Sequence, residues 1–201
     1  MEVKVKDLCV QIADGYTKMN SMPDDPADSV AYGKESGTMQ GYFLLFPISR
    51  EKTMPFGNPR TVINGIHGCL AEDQGLIEVE CGKTQSGVRY IYSIVKSRNQ
   101  PSGVQYTLRA HFDFRETPLE LIAYYGEAGV TGQRDAFIYQ LARRENLVDE
   151  HLNGWMADPY SPDYNKGLLM NLSEQRKYDQ YFSGHPLSEL RSFLGFFIEQ
   201  N

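Results

Sequence analysis

The sequence predicts an α+β fold, with an antiparallel β-sheet flanked by helices and a helical C-terminal extension. Between Ile77 and Phe114, three segments alternate apolar and polar residues and are joined by turn-rich links, a pattern typical of an antiparallel meander. Near the C-terminus, large apolar residues recur at helical spacing and indicate a helix with a broad apolar face. These residues are Leu187, Leu190, Phe193, Leu194, Phe197 and Ile198.

The composition is that of one globular chain. Its 201 residues are enough for one well-buried core, and 41% of them are hydrophobic and 23% charged, close to the averages of globular proteins. We expect an α+β domain over residues 1–148. Residues 149–201 are expected to form a connector anchored by aromatic side chains, followed by helices that pack on the same domain.

The charge pattern bears on partners and location. The formal net charge is −6 and the longest basic run is Arg143-Arg144, so the sequence predicts no nucleic-acid partner, which would require a concentrated positive surface. The first seven residues carry charges where a signal peptide has an apolar core, and no apolar run reaches 18 residues. We therefore expect a cytoplasmic protein without a membrane segment. The three cysteines, Cys9, Cys69 and Cys81, are odd in number and far apart, which favours reduced thiols.

Several elements are predicted ahead of the meander. Residues 1–16 hold a candidate first strand, and residues 20–40 are rich in Ser, Asp, Pro and Gly, which is typical of a long loop. The apolar run Tyr42–Phe46 predicts a strand buried on both faces in the middle of the sheet. Asn58-Pro59 predicts a helix start, because Asn can accept a free backbone N–H and Pro lacks only a donor that would be unpaired there.

The third segment of the meander has two contrasting faces. Apolar side chains alternate from Val104 to Phe114, and we expect them to pack against helices. The opposite face is polar and is expected to meet water or a partner. It consists of Gln105, Thr107, Arg109, His111 and Asp113.

Helices are predicted after the meander. The segment Thr117-Pro118-Leu119-Glu120 reads as a capping box with Pro at the first helical position, so a helix is predicted from there to Gly126 or Gly129. Thr131 can cap a second helix that ends near Arg144.

The last third of the chain is predicted to be irregular before it becomes helical. Residues 149–172 read as an ordered connector that contains Trp155, the chain's one tryptophan. A short helix is predicted from Ser173 to about Phe182. His185 precedes a proline and is therefore pushed out of helical geometry, so the final helix is predicted to begin after it.

The most suggestive chemical group is the row Arg109, His111 and Asp113. Alternate residues of a strand share a face and lie about 6.5–7 Å apart, so these three side chains could bind an anion or orient a substrate. The simpler interpretation is a solvated strand face. No serine or cysteine is tied to the row by spacing, so an acyl-transfer triad would need partners from elsewhere in the fold.

No metal or cofactor is predicted. The four histidines, His67, His111, His151 and His185, are widely separated and show no zinc-ligand spacing.

The glycine-punctuated segment Gly129–Asp135 leads into a helix N-terminus, a geometry that can bind an anion. It matches neither a P-loop nor a dinucleotide fingerprint. The alternative is a simple corner between two helices, in which Arg134 or Asp135 pairs locally.

The arrangement of elements from Tyr42 to about Tyr139 resembles the Mog/PsbP-like superfamily. The resemblance rests on the order strand, helix, three-strand meander and Gly129–Asp135, and on the phrase Gln74-Gly75-Leu76-Ile77-Glu78-Val79. It implies an α/β/α sandwich around an antiparallel sheet and a non-catalytic binding role, since characterised members bind a small GTPase or a photosynthetic complex. The C-terminal segments Lys177-Tyr178-Asp179 and His185-Pro186-Leu187-Ser188 are similar to the tails of uncharacterised bacterial proteins.

Three functional hypotheses follow. The first is a bacterial non-catalytic protein-binding or adaptor protein that uses an aromatic sheet face or the C-terminal helix. The second is a hydrolase-type enzyme built on the His111, Asp113 and Arg109 row, and the third is a small-ligand carrier with an aromatic pocket between sheet and helices. The candidate binding residues are Tyr90, Tyr92, Thr131, Arg134 and Trp155.

Overall fold

The computed structural model describes residues 1–99 and 102–201. Over these residues the chain forms a seven-stranded antiparallel sheet, a separate two-stranded hairpin and three α-helices. The strands are β1 (Glu2–Val5), β2 (Leu8–Gln11), β3 (Thr17–Lys18), β4 (Val30–Glu35), β5 (Met39–Pro47), β6 (Gln74–Lys83), β7 (Arg89–Arg98), β8 (Val104–Asp113) and β9 (Leu119–Glu127). The α-helices are α1 (Pro59–Cys69), α2 (Gln133–Arg144) and α3 (Pro186–Gln200), and 3-10 helices occur at Arg50–Lys52, Leu172–Glu174 and Arg176–Tyr181.

The large sheet has the strand order β3-β4-β5-β9-β8-β7-β6. Strands β6, β7 and β8 pair in sequence as an antiparallel meander, which confirms the predicted α+β class. The alternating apolar face of β8 is turned inward as predicted. Tyr106, Leu108, Ala110 and Phe112 are all at most 2% exposed, and the end members Val104 and Phe114 are partly buried against the same core.

Each face of the sheet carries its own apolar core. On one face, α3 and the β1-β2 hairpin pack against the central strands, and the stripe from Leu187 to Phe197 is buried there. On the other face, Val62 and Ile63 of α1 pack against the β6 and β7 side chains Val79 and Ile91. Because α1 reaches only the β6-β7 side, the β5-β9 part of that second face is not covered by it.

The helix predicted to start at the Thr117–Glu120 capping box is wrong, because this segment becomes strand β9. It pairs with β5 on one side and β8 on the other, in the middle of the sheet. Leu119, Leu121, Ala123 and Tyr125 all face α3 and are fully buried. This period-two burial outweighs the local capping signal, as tertiary context commonly outweighs propensity.

The N-terminal third contains more strand than predicted. The candidate first strand in residues 1–16 is the hairpin β1-β2, and the loop predicted at 20–40 contains β4 and the start of β5. A Cβ at Gly33 of β4 would lie only 3.0 Å from the Met19 sulfur, so glycine leaves room there for the Met19 side chain. The Tyr42–Phe46 strand is confirmed as part of β5, third in the sheet order, although Tyr42 itself is 42% exposed.

The predicted helices α1 and α2 are both present, but only α1 begins at the predicted capping residue. In α1, the Asn58 side chain accepts a hydrogen bond from the Thr61 N–H, as predicted. Helix α2 ends at Arg144 as predicted, but its N-cap is Gly132 rather than Thr131. Gly132 has φ 73°, a left-handed conformation that glycine adopts without strain, and its N–H donates to the Glu127 carboxylate.

The C-terminal segment follows the predicted order with one change. The short helix expected from Ser173 to Phe182 is two successive 3-10 helices. Helix α3 begins at Pro186 as predicted, and the extended residue His185 caps it by accepting a hydrogen bond from the Leu187 N–H. Of the helices described, none has the length and apolar character needed to cross a membrane.

Candidate functional site

The predicted row Arg109, His111 and Asp113 does lie on one face of β8, but its histidine is closed off. His111 is 1% exposed, and its Nδ1 accepts a 2.7 Å hydrogen bond from the Met54 backbone N–H. The ring proton must therefore be on Nε2. Nε2 lies 3.4 Å from Glu120 Oε1, close enough for attraction but without the alignment of a hydrogen bond.

The other two members of the row are paired with neighbours on the surface of the sheet. Arg109 donates from Nε to Glu120 at 2.5 Å, and Asp113 accepts hydrogen bonds from Arg50 and Arg89. Burial alone would raise the pKa of Asp113, but the two guanidinium groups lower it below its usual value. The row does not line the cavity of about 620 Å³ at the other end of the same sheet face. Within the row, Arg109 and Asp113 are therefore held by neighbouring side chains, whereas His111 Nε2 is buried beside Glu120 without a hydrogen-bond partner.

The candidate binding residues Tyr90 and Tyr92 face α3 and are buried. The Tyr92 hydroxyl donates to the carboxylates of Glu78 and Glu80, and burial followed by the Glu78 charge raises the pKa of Tyr92. Together with Tyr106 and Phe112, these rings belong to the core that fills the space between sheet and helix. That core occupies the position where the carrier hypothesis places a pocket.

Arg134 binds its own chain. It is 1% exposed, and its guanidinium donates to the Ser173 carbonyl oxygen at 2.6 and 2.8 Å, to Ser188 Oγ at 2.8 Å and to Asp179 at 2.9 Å. The local pairing expected for a helix corner is thus replaced by long-range contacts with the C-terminal segment. Thr131 is half-buried in the turn before α2.

The half-buried Trp155 packs edge-on against Tyr139, with ring centroids 5.3 Å apart. It borders a cavity of about 310 Å³ that is also lined by Asp158 and Asn171. Aromatic anchoring of the connector is what the sequence predicts for this tryptophan.

The sequence gives little sign of a buried ionic network under the C-terminal segment. Glu174 is fully buried and accepts hydrogen bonds from Lys96 Nζ at 2.7 Å, from the Tyr106 hydroxyl at 3.0 Å and from the Asn171 N–H at 2.6 Å. Burial, and then the Glu174 charge, raise the pKa of Tyr106 well above its usual value. Each of these polar groups has a hydrogen-bond partner within the chain. The cluster therefore has the character of a structural contact that holds the C-terminal segment on the sheet.

The exposed feature with the character of a binding site is the uncovered part of the sheet beside α1. Tyr42 of β5 and Tyr124 of β9 are register partners there, and their rings stack with centroids 4.9 Å apart and planes 23° apart. The rings border a cavity of about 620 Å³. We call this surface the tyrosine face and define it by Glu35, Gln40, Tyr42, Asn99, Gln105 and Tyr124; Lys34 also borders the cavity.

The tyrosine face is electrostatically negative. Glu35 is exposed, whereas the nearby Lys34 is neutralised by Glu189 of α3, with 3.0 Å between Nζ and Oε2. The pKa of Tyr42 is raised by burial, by Tyr124 and by the negative charge of Asp25. Among the described residues that line this surface, no unpaired cation therefore balances the negative charge of Glu35.

Sequence reasoning missed the tyrosine face for two reasons. It placed Tyr42 in a strand buried on both faces, and it placed Tyr124 in a helix. After Glu120 the sequence up to Tyr125 is a continuous apolar run that suits a helix or a strand, so it held no local signal that would place Tyr124 beside Tyr42.

The described residues also bear on metal binding. No three His, Cys, Asp or Glu side chains in residues 1–99 and 102–201 come together in a way that would hold a metal ion.

Comparisons with known proteins add no family. No protein-family model matches the chain, and no curated protein matches it. Among solved structures, a Pseudomonas aeruginosa protein of unknown function, named as a candidate regulator, is similar with 8% sequence identity and a TM-score of 0.37. The similarity covers 72% of this chain and 93% of that chain. At this level it carries no functional argument, so the proposals below depend on the geometry of the site.

Proposed function

We propose that this chain is a non-catalytic protein-binding or adaptor protein that recognises its partner through the tyrosine face. The observation that carries this proposal is the exposed stack of Tyr42 on Tyr124 beside a cavity of about 620 Å³. Exposed tyrosines are typical of binding surfaces, because the ring supplies contact area and the hydroxyl tolerates both water and a partner.

The state of the titratable groups supports binding rather than catalysis. His111 is buried with its acceptor nitrogen occupied, and Asp113 is held by two arginines. A general base must reach the proton that it abstracts, and His111 is only 1% exposed and does not line the cavity of about 620 Å³. The tyrosine face, in contrast, presents accessible groups that no other part of the described chain uses.

The proposal is tested by differential capture. Immobilised wild-type protein, Tyr42→Thr, Tyr124→Thr and the control Tyr181→Thr are exposed to an extract of the source cells. Threonine suits a β-strand, so the two sheet variants should stay folded. Tyr181 is 69% exposed and does not line the tyrosine face.

We expect at least one protein to be retained by the wild type and by Tyr181→Thr and lost from both sheet variants. That protein is then purified, and its dissociation constants for the four chains are compared by calorimetry. Retention of the same set of proteins by all four chains would overturn the proposal.

A further inference from the structure

The chemistry of the tyrosine face restricts the kind of partner that fits it. An aromatic ring attracts a cation positioned over its face within about 6 Å, and arginine is the commonest protein cation in this role. The chain already uses this contact internally. Lys34 Nζ lies 5.6 Å from the Tyr16 ring centroid, and the Arg89 guanidinium lies 5.3 Å from that of Phe56.

The stacked pair on the tyrosine face has no such cation from its own chain. Among residues 1–99 and 102–201, no lysine or arginine is placed over the ring of Tyr42 or Tyr124. After stacking, Tyr42 is still 42% exposed. Its ring is therefore available to a cation supplied from outside.

The surrounding charges favour a basic partner and disfavour an acidic one. The exposed Glu35 carboxylate lines the cavity, and Lys34 is already paired with Glu189. Arg109, which lies on the same face of the sheet, is likewise paired with Glu120. The net charge of −6 adds long-range attraction for a basic segment.

The remaining lining groups suit an extended peptide. Gln40, Asn99 and Gln105 border the cavity, and their amides can both donate to and accept from peptide groups or a guanidinium. The cavity of about 620 Å³ falls within the range of roughly 300–1,000 Å³ that holds a ligand larger than one side chain. It crosses the ends of five neighbouring strands, in the sheet order β3, β4, β5, β9 and β8, which is the layout of a shallow trough.

We propose, resting on the proposed function, that the partner segment is basic and extended and places an arginine side chain over the Tyr42–Tyr124 stack beside Glu35. Arginine is favoured over lysine because its planar, weakly hydrated guanidinium stacks on rings and donates in a fork to a carboxylate or an amide oxygen.

The experiment uses a short fluorescent peptide of alternating arginine and serine, with two matched peptides in which glutamine or glutamate replaces arginine. Fluorescence anisotropy measures the affinity of each for the full chain. We expect the arginine peptide to bind and the other two to bind far more weakly. Tyr42→Thr should raise its dissociation constant roughly 2- to 30-fold, as expected from the loss of a cation–π contact.

Matched variants separate this site from general attraction to an acidic protein. Glu35→Gln leaves an exposed position uncharged without disturbing packing, and it should weaken binding roughly 2- to 5-fold. Glu145→Gln removes the same charge from an exposed position outside the cavity and should leave binding unchanged. Tyr42→Phe keeps the aromatic ring and should bind nearly as the wild type does. It tests the role of the ring even if Tyr42→Thr fails to fold.

Equal binding of the arginine peptide by Glu35→Gln and Glu145→Gln, or equal affinity for the glutamine peptide, would overturn the inference. The two proposals fail in different ways. A partner that is lost from Tyr42→Thr in the capture experiment but is not displaced by the arginine peptide would refute the basic segment and leave the protein-binding proposal in place.

Discussion

The Lys96 ammonium of β7 lies 2.7 Å from the Glu174 carboxylate, measured from Nζ to Oε2, and both side chains are at most 3% exposed. Glu174 belongs to the 3-10 helix at Leu172–Glu174, so this pair joins the C-terminal segment to the sheet. An ion pair at such depth is not strong evidence for stability in itself, because desolvation offsets attraction. Substitution of Lys96 or Glu174 alone nevertheless lowers the free energy of unfolding, because the other charge stays buried without its partner.

Lys96→Met should therefore lower the free energy of unfolding by about 3–5 kcal/mol, measured by urea denaturation at neutral pH. The double variant Lys96→Met with Glu174→Gln removes both charges and keeps an acceptor for Tyr106. It should be more stable than the sum of the two single changes implies. Strict additivity would show that the pair does not interact.

Arg134→Lys should destabilise the protein although the charge is kept. A lysine presents its donors from one nitrogen and cannot reach the Ser173 carbonyl, Ser188 Oγ and Asp179 together, as the guanidinium does. We expect a loss of about 1–3 kcal/mol in chemical unfolding, the range for buried groups left unpaired. Arg143→Lys in the same helix is the control, since Arg143 is exposed and should change stability by less than about 0.5 kcal/mol. Equal effects of the two changes would contradict the role assigned to Arg134.

The parts of the fold that the sequence predicts correctly are those in which local pattern and tertiary placement agree. Strand β8 alternates cleanly because one of its faces packs on α3 and the other carries polar residues. Helix α3 presents a broad apolar stripe because a sheet covers it. In both cases, a single element contains all the information needed to assign it.

Strand β9 shows where such reasoning fails. Pro118 and Glu120 fit a helix start, and residues 119–125 are apolar enough for either structure. This segment becomes a strand because it fills the place in the sheet between β5 and β8. Its backbone groups are buried there and must form hydrogen bonds with both neighbouring strands. The tyrosine face could not be predicted for the same reason, since Tyr124 reaches Tyr42 only through this pairing. The buried network around Glu174 depends on contacts between residues 78 positions apart, which no local pattern encodes.

Gly75→Ala should be strongly destabilising for a steric reason. A Cβ at this position in β6 would overlap the backbone carbonyl oxygen of Leu168, whose N–H donates to the Gln74 carbonyl oxygen at 2.7 Å. The added methyl must therefore push the connector off the edge of the sheet. We expect a loss of about 1–3 kcal/mol, typical of overpacking, measured by thermal or urea unfolding.

Gly68→Ala in α1 is the matched control for Gly75→Ala. A Cβ at Gly68 meets nothing within 4 Å, and alanine is the better helix former by about 0.8–1 kcal/mol. This change should raise the unfolding free energy by up to that amount. A stabilising Gly75→Ala would show that the connector is not seated on the edge of β6 as described.

Glu78 should make the stability of the protein fall in acid. Burial by itself would raise the pKa of this carboxyl, but hydrogen bonds from Arg176 and Tyr92 and the charge of Arg191 lower it below the ordinary value of 4.5. Because the folded-state pKa is the lower one, Glu78 stabilises the fold fully above pH 4.5, and this contribution is lost as the pH falls through the folded-state value.

Unfolding free energies measured from neutral pH to about pH 3 should therefore decline more steeply for the wild type than for Glu78→Gln. Since Asp113 and Glu120 also have lowered pKa values and are present in both chains, the difference between the two curves isolates Glu78. Parallel curves would show that the arginines around Glu78 do not hold its carboxylate in the charged form.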